Sequence, residues 1–460
     1  MMIPFQNTYA KLPEAFFERT KPVQVAAPEL IAYNEELAGE LGITVPAEDR
    51  AEVFSGNLVP QGAEPLAMAY SGHQFGGFSP TLGDGRAILL GEVAGKDVQL
   101  KGAGRTPFSR RGDGRSALGP VLREYLLSEA MFALGVPTTR ALAAVWSGEE
   151  VVRQGREPGG VLTRVARSHL RVGTVQYFAA RRDEENLRTL VEYATQRLYP
   201  GTRGATELLE AVVRSQAKLV AQWMGIGFIH GVMNTDNVSL SGETIDYGPC
   251  AFMDAFDPQK KFSFIDEGGR YRYENQPGIC LWNLSRLAEA LLPVMEEDSE
   301  GAEERAKEIL GDFGRIFEAR REEIFCRKLG VLSGGWELGE KLLNLMAEGG
   351  VDFTRAFRLL GEDEKRFRKL FSPQSGLSDW LSRWGELEPN PVQMLTVNPA
   401  VIPRNHKVEE VIQAGLSQDF RPFHLMMGEL RDPYRTREER EEFARPPEAG
   451  QEVTATFCGT

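Results

Sequence analysis

Cysteine is scarce in this 460-residue chain: Cys250, Cys280, Cys326 and Cys458 include no C-x-x-C pair and no His/Cys spacing suited to a metal. That scarcity argues against a disulfide framework and fits a reducing compartment. Histidine numbers only five; His169 and His230 lack ligand spacing and are expected to be structural. No run of about 18 apolar residues occurs, so no membrane-spanning helix is expected. Basic residues are outnumbered, 53 Lys plus Arg against 66 Asp plus Glu, for a net charge of −13 and a pI near 5.2. Such a balance argues against a broad nucleic-acid footprint. The opening Met-Met-Ile-Pro-Phe-Gln-Asn-Thr-Tyr has neither the basic start nor the apolar core of a signal peptide, so the expected location is cytoplasmic. Internal repeats and sustained heptads are also missing.

What is present is a globular composition, 42% hydrophobic and 26% charged, with room for a sizeable core in two to four compact units. Residues 71–120 are Gly-rich, and strands dominate there. Residues 87–93 and 98–102 flank a polar Ala-Gly-Lys-Asp turn and predict a hairpin. Pro120 opens a helical run that Gly135 stops, and 141–146 and 161–165 read as strands. From about 175 helices prevail, with charged helices over 295–330 and 336–372 and a Pro-marked loop near 389–403. The order predicts an α+β, bilobal protein-kinase-like fold. It has a β-rich N-terminal lobe (1–174), a mainly helical C-terminal lobe with extra C-terminal helices (175–430) and a mobile mixed-charge tail (431–460).

The most informative text is His230-Gly-Val-Met-Asn-Thr-Asp-Asn237, followed by Asp246-Tyr-Gly248. Residues 237–246 read as a hairpin turning at Ser241-Gly242, which would pair Asn237 with Asp246 and set Asp236 beside them. Three hard oxygen groups at one mouth suit Mg²⁺ holding nucleotide phosphates; an ordinary polar hairpin is the alternative. Kinase catalytic loops read H-R-D-x-x-x-x-N, with the Asp as base. Here Val232 stands at that position, and the one acid within the loop is Asp236. Either the chain is a dead kinase or it runs a neighbouring reaction with the base moved.

Other residues fit a nucleotide cleft. Strand alternation puts Gln99 and Lys101 on one face, and a strand lysine fixed by a helix Glu is a phosphate grip. Glu124, bordering an apolar stripe, is preferred over Glu129 as that partner. Gly83-Asp-Gly85-Arg86 and Asp113-Gly114-Arg115 bracket the hairpin, Gly allowing close backbone approach and Arg bidentate oxygen contacts. Arg164, Arg167 and Arg171 call for an anionic ligand, with a surface ion-pair network as the plain alternative.

Together these residues resemble the selenoprotein O (YdiU-type) family of protein adenylyltransferases, which have a pseudokinase-like fold. The resemblance runs through Tyr70-Ser-Gly-His-Gln-Phe-Gly, Leu-Gly-Asp-Gly-Arg86, Gln-Leu-Lys-Gly-Ala-Gly-Arg-Thr-Pro-Phe-Ser-Arg and Thr-Arg-Val-Ala-Arg-Ser-His-Leu-Arg-Val-Gly. It continues through the 230–237 loop, Asp-Tyr-Gly-Pro-Cys-Ala-Phe-Met-Asp and Tyr-Glu-Asn-Gln-Pro. It implies ATP bound in a flipped orientation, with AMP passing to Ser, Thr or Tyr hydroxyls of proteins. The chain itself is one candidate acceptor; nucleic acid and membrane are not partners. By the resemblance, Asp236 is the proton acceptor, and Asn237 and Asp246 hold Mg²⁺, with Mn²⁺ as the alternative. Nucleotide contacts fall to Gly83, Gly85, Arg86, Lys101, Asp113, Gly114, Arg164, Arg171 and Asp246, with Glu124 pairing Lys101.

The chain departs from the family around a cysteine pair. Members often carry a Cys just before the segment matching Asp266-Glu-Gly-Gly-Arg-Tyr, paired with a C-terminal Cys. Lys-Phe-Ser-Phe-Ile holds none, so a redox latch through Cys458 is not expected in that form. The competing functions are a protein uridylyltransferase using Mn²⁺, a kinase-like phosphotransferase, and a non-catalytic pseudokinase scaffold.

Overall fold

The structure, a computed structural model, describes residues 1–153, 155–296, 298–372, 376–435 and 441–457. Its architecture is α+β. The strands are β1 (Phe17–Arg19), β2 (Glu29–Tyr33), β3 (Leu66–Met68), β4 (Gly72–Gln74), β5 (Gly77–Ser79), β6 (Ala87–Val93), β7 (Lys96–Lys101) and β8 (Ser116–Ala117). They continue with β9 (Arg140–Val152), β10 (Arg156–Ala166), β11 (Phe228–Ile229) and β12 (Ala251–Phe252). Eight of them form one antiparallel sheet in the order β1-β3-β6-β7-β10-β9-β2, with β8 on β10. The β6–β7 hairpin is as expected, except that β7 starts at Lys96. Ala94 and Gly95 both adopt positive φ, so the turn needs only two residues and matches the strand twist.

The helix expected after Pro120 spans Leu118–Ala133, leaving Pro120 in the first turn, where a backbone N–H has no helical partner to lose. Val121, Leu122 and Tyr125 share a core with Val408, Val411, Ile412 and Phe423 of helices Asn405–Leu416 and Arg421–Leu430. These two late helices therefore pack over a helix of the sheet half. The segment 336–372 is not one helix but three, Gly335–Gly349, Phe353–Glu362 and Glu364–Arg368. Asp352 and Asp363 cap the second and third by accepting backbone N–H bonds, which restarts the helix each time.

A second core joins helices Val172–Ala179, Gly204–Gly225, Gln276–Leu291 and Ser299–Leu329 around Phe228, Tyr247 and Phe252. Within 431–460, Thr456 N–H donates to Phe262 O at 2.7 Å and Phe264 N–H to Thr456 O at 3.1 Å. The Phe457 ring lies 4.9 Å from that of Phe264; Cys458 lies outside the described residues. Among the described residues no helix is long and apolar enough to cross a membrane.

Candidate active site

A cleft of 1390 Å³ lies between the sheet and the segment that follows β11, and every residue expected to contact nucleotide or metal lines it. Its upper wall comes from β7 and β10, which pair with Arg164 opposite Gln99 and Leu162 opposite Lys101. Lys101 Nζ donates to Glu124 Oε2 at 2.6 Å and to Asp246 Oδ1 at 2.9 Å. Arg164 donates to the same Asp246 oxygen at 2.8 Å and to Glu124 Oε1 at 3.3 Å. Glu129, the less favoured partner for Lys101, is instead committed to Arg140, accepting two bonds at 2.8 Å.

Three cations converge on Asp246, for Arg171 Nη1 stands 3.6 Å from its Oδ2. Burial by itself opposes ionisation of this carboxyl, but Lys101, Arg164 and Arg171 outweigh it and hold the group well below the usual carboxylate range. Arg164 and Arg171 are each 3% exposed. Burying two guanidinium groups is costly without anionic partners, and here those partners are Asp246, Glu124 and Asp84. Arg171 also stacks over Tyr70, with Cζ 4.5 Å from the ring centroid, and donates to the backbone oxygen of Asp236 at 3.1 Å.

The lower wall departs from the expected hairpin. Residues 237–246 do turn at 240–242, but the two arms do not pair with each other. Ser239 bridges Arg171 and Thr244 bridges Thr138. Isolated two-stranded hairpins are marginal, and each arm finds backbone partners already ordered beside it: Val172 N–H donates to Val238 O and Thr139 N–H to Thr244 O, both at 3.0 Å. Asn237 ends a 3-10 turn, Thr235–Asn237, and its Nδ2 donates to Val232 O at 3.0 Å. Asp246 adopts φ +63°, a left-handed conformation that Asp and Asn tolerate best among residues with a side chain. The three polar groups thus reach one cleft by a different backbone route.

Asp236 is 8% exposed. Burial pushes its carboxyl up to about 6, against the opposing pull of Arg171 and of a hydrogen bond from Gln74. His230 and His169 are structural. His230 Nε2 lies 2.9 Å from Ile245 O, and His169 Nδ1 lies 3.1 Å from Asp97. Burial lowers His230 and takes His169 down to about 4, so both are neutral at pH 7.

The glycines are required by packing as well as by φ. At Gly83, φ +66°, a Cβ would meet the Phe108 ring at 2.2 Å; at Gly114, φ +71°, it would meet Gly104 O at 2.1 Å. Asp113 lies at the outer rim and accepts from Arg153 at 2.9 and 3.1 Å. Arg167 does not face the cleft; it donates to Ser241 O and Leu198 O, closing the turn from behind.

Residues missed in the sequence complete the network. Asp84 accepts from Gln99 Nε2 at 2.9 Å and lies 3.9 Å from Arg171, while Gln99 Oε1 accepts from Arg164 Nε at 2.7 Å. The alternation that placed Gln99 on the face of Lys101 was the available signal. Asp84, flanked by glycines, offered none of its own.

Among the described residues no group of three or more His, Cys, Asp or Glu could hold a metal by itself. The donor set that does face the cleft is an amide oxygen and a carboxylate. Asn237 spends its NH₂ on Val232 O, leaving its oxygen as the donor atom, and Asp246 meets Lys101 and Arg164 through Oδ1, with Oδ2 3.6 Å from Arg171. Two hard oxygen ligands with phosphate oxygens and water completing the shell is a common Mg²⁺ arrangement, so the residues fit the ion.

A family model described as protein adenylyltransferase SelO matches residues 1–431. Relatives described as protein nucleotidyltransferase YdiU span the chain from end to end. The Agrobacterium fabrum (strain C58) protein is 51% identical, covering 100% of both chains. That of Jannaschia sp. (strain CCS1) is 52% identical over 99% of each, and that of Methylorubrum populi is 52% identical over 100% of this chain and 99% of its own.

Proposed function

This chain belongs to the SelO family of protein adenylyltransferases and is an enzyme, a protein nucleotidyltransferase; from that premise we propose that it moves AMP from ATP to hydroxyl side chains of proteins in a cleft between two kinase-like lobes. The observation that carries this reading is the pairing of an absent kinase base with a displaced one. Val232 cannot accept a proton, while Asp236, buried and beside Asn237, faces the same space as Lys101, Arg164 and Arg171. Arginines this deep in the sheet lobe support a triphosphate lying with its far end inward and its α-phosphate toward Asp236.

In this reading Asp236 takes the proton of a Ser, Thr or Tyr hydroxyl, and the hydroxyl oxygen forms a bond to the α-phosphorus. The bond from that phosphorus to the β-phosphate oxygen breaks, and pyrophosphate leaves with the electron pair. Lys101, Arg164 and Arg171 are preorganised against the developing charge, usually the largest catalytic contribution. Asn237 and Asp246 are the residues that would hold Mg²⁺, which when bound supplies Lewis-acid charge to phosphate oxygens. Glu124 acts through Lys101, fixing its reach.

Intact mass after incubation with ATP and Mg²⁺ tests the reading: AMP transfer adds about 329 Da per site, UMP transfer from UTP about 306 Da and phosphate about 80 Da. Transfer of α-label without γ-label is expected. Retained γ-label would make the chain a phosphotransferase, and ATP binding with no transfer to any acceptor would make it a scaffold.

A further inference from the structure

Of the motif Tyr70-Ser-Gly-His-Gln-Phe-Gly only Tyr70, stacked on Arg171, enters the nucleotide reading, yet the structure sets the rest directly over the catalytic loop. Strands β4 and β5 pair with His73 opposite Phe78 and Gln74 opposite Gly77. From this small hairpin three consecutive residues reach three consecutive residues of the loop. His73 N–H donates to Thr235 Oγ1 at 2.6 Å, Gln74 Nε2 to Asp236 Oδ2 at 3.2 Å and Phe75 N–H to Asn234 Oδ1 at 3.0 Å. The same Asn234 oxygen also accepts from the Tyr271 hydroxyl at 2.6 Å.

The three bonds differ in kind. The outer two come from backbone N–H groups, so they set the register whatever side chains the hairpin carries. The middle one comes from a side chain and ends on the carboxylate read above as the base. Two further features show the hairpin built to this approach. A Cβ at Gly72 would stand 2.8 Å from Asp236 Oδ1 and from Leu82 Cδ1, so any side chain there would push against that carboxylate. Phe75 adopts φ +52°, a conformation costly for a bulky residue, which brings its N–H onto Asn234 and its ring to 5.2 Å from Tyr271. Asp236 Oδ1, meanwhile, is buried without a hydrogen-bond partner from the protein.

We propose that Gln74 is a positioning residue for the transfer reaction. It anchors Oδ2 of Asp236 and, with Oδ1 packed against Gly72, fixes the rotation of the carboxylate at the cleft wall. The hairpin thereby ties the base to the sheet half that grips the nucleotide, so that base and α-phosphate keep one geometry. A carboxylate held at one oxygen loses the rotational freedom that would otherwise misplace its lone pairs by ångströms, and misplacement on that scale is costly in rate. This inference rests on the reading of Asp236 as the base.

The test uses the full chain with ATP and Mg²⁺, following pyrophosphate release, which counts transfer to any acceptor, including the chain itself and water. Gln74→Met keeps the length and removes the donor; Gln74→Glu keeps the shape but sets a second carboxyl against Asp236, where the two compete for one proton. Both are expected to lower kcat by about 10- to 100-fold, less than the roughly 100- to 10,000-fold that general-base catalysis contributes as a whole. The KM and Kd for ATP and the melting temperature should stay at wild-type values. Asp236→Asn, run alongside, is expected to abolish release. Wild-type kcat in both Gln74 variants with an inactive Asp236→Asn would overturn the role of Gln74 and leave the base in place. A loss of kcat matched by weaker ATP binding and a lower melting temperature would also overturn it, since the hydrogen bond would then be merely structural. Undiminished release by Asp236→Asn would remove the base and this inference together.

Discussion

Replacing Asp246 by Asn should uncouple nucleotide binding from catalysis. The substitution removes charge while keeping shape, and Asn tolerates the left-handed φ of +63° at this position. Lys101 at 2.9 Å, Arg164 at 2.8 Å and Arg171 at 3.6 Å then lose their shared counter-ion. Breaking a buried ion pair from one side costs roughly 3–5 kcal/mol, because the remaining charges are left uncompensated, so the urea midpoint should fall accordingly. The cations keep Glu124 and Asp84 but are one counter-charge short in the empty cleft; entering phosphates supply it, and binding returns part of that free energy. Metal-free ATP should therefore bind the variant more tightly than wild type, by about 1.4–4 kcal/mol or roughly 10- to 1,000-fold. Transfer in the presence of Mg²⁺ should be lost, since one of the two residues proposed to hold the ion is weakened. Titration calorimetry with ATP in EDTA and then in Mg²⁺, beside a pyrophosphate-release assay, separates the two effects. Weaker metal-free binding by the variant would refute the reasoning, because Asp246 would then not be what the three cations spend their charge on.

Glu124→Gln removes the charge that holds Lys101 at 2.6 Å; kcat/KM for ATP should fall about 10- to 100-fold, charge-assisted bonds being the strong ones, as read from initial rates. Gly114→Ala forces a Cβ toward Gly104 O at 2.1 Å and a left-handed alanine; it should cost at least about 2 kcal/mol in urea unfolding, since the left-handed conformation alone costs 1–2, and weaken ATP binding. Lys328, 4% exposed with Nζ 4.1 Å from the Phe357 ring, is taken down to about 7 by burial. The unfolded chain keeps that proton to higher pH, so wild-type stability is lost as pH falls from about 10 toward 7 and levels off below. Lys328→Met removes this dependence and should stabilise the chain at pH 7 by up to roughly 3–5 kcal/mol, with a smaller gain at pH 9 in paired urea titrations.

Local rules went a long way in reading this chain. Period-two alternation located β6 and β7 and put Gln99 with Lys101, and the Pro120–Gly135 punctuation bounded the central helix. Charge type and spacing brought forward Lys101, Glu124, Arg164, Arg171, Asp236, Asn237 and Asp246 before any fold was known, and the structure places all of them on one cleft. Where local reasoning failed, a distant partner had intervened. The 237–246 arms looked like mates, but Arg171 and Thr138 offered each arm a backbone already held in place. The 336–372 helix broke where aspartates could cap new helices.

Residue chemistry and short-range periodicity are therefore properties of the sequence alone: which groups can carry charge, accept a proton or approach phosphate, and on which face of a strand they stand. Only the tertiary structure decided that Arg167 closes a turn while Arg164 and Arg171 face the cleft, that Asp84 belongs to the same network, and that Gln74 meets Asp236. Those contacts join residues 65, 87 and 162 positions apart. They form because burying guanidinium and carboxylate groups is tolerable only when each meets a partner, and which partner is near enough is settled by how the sheet and helices pack.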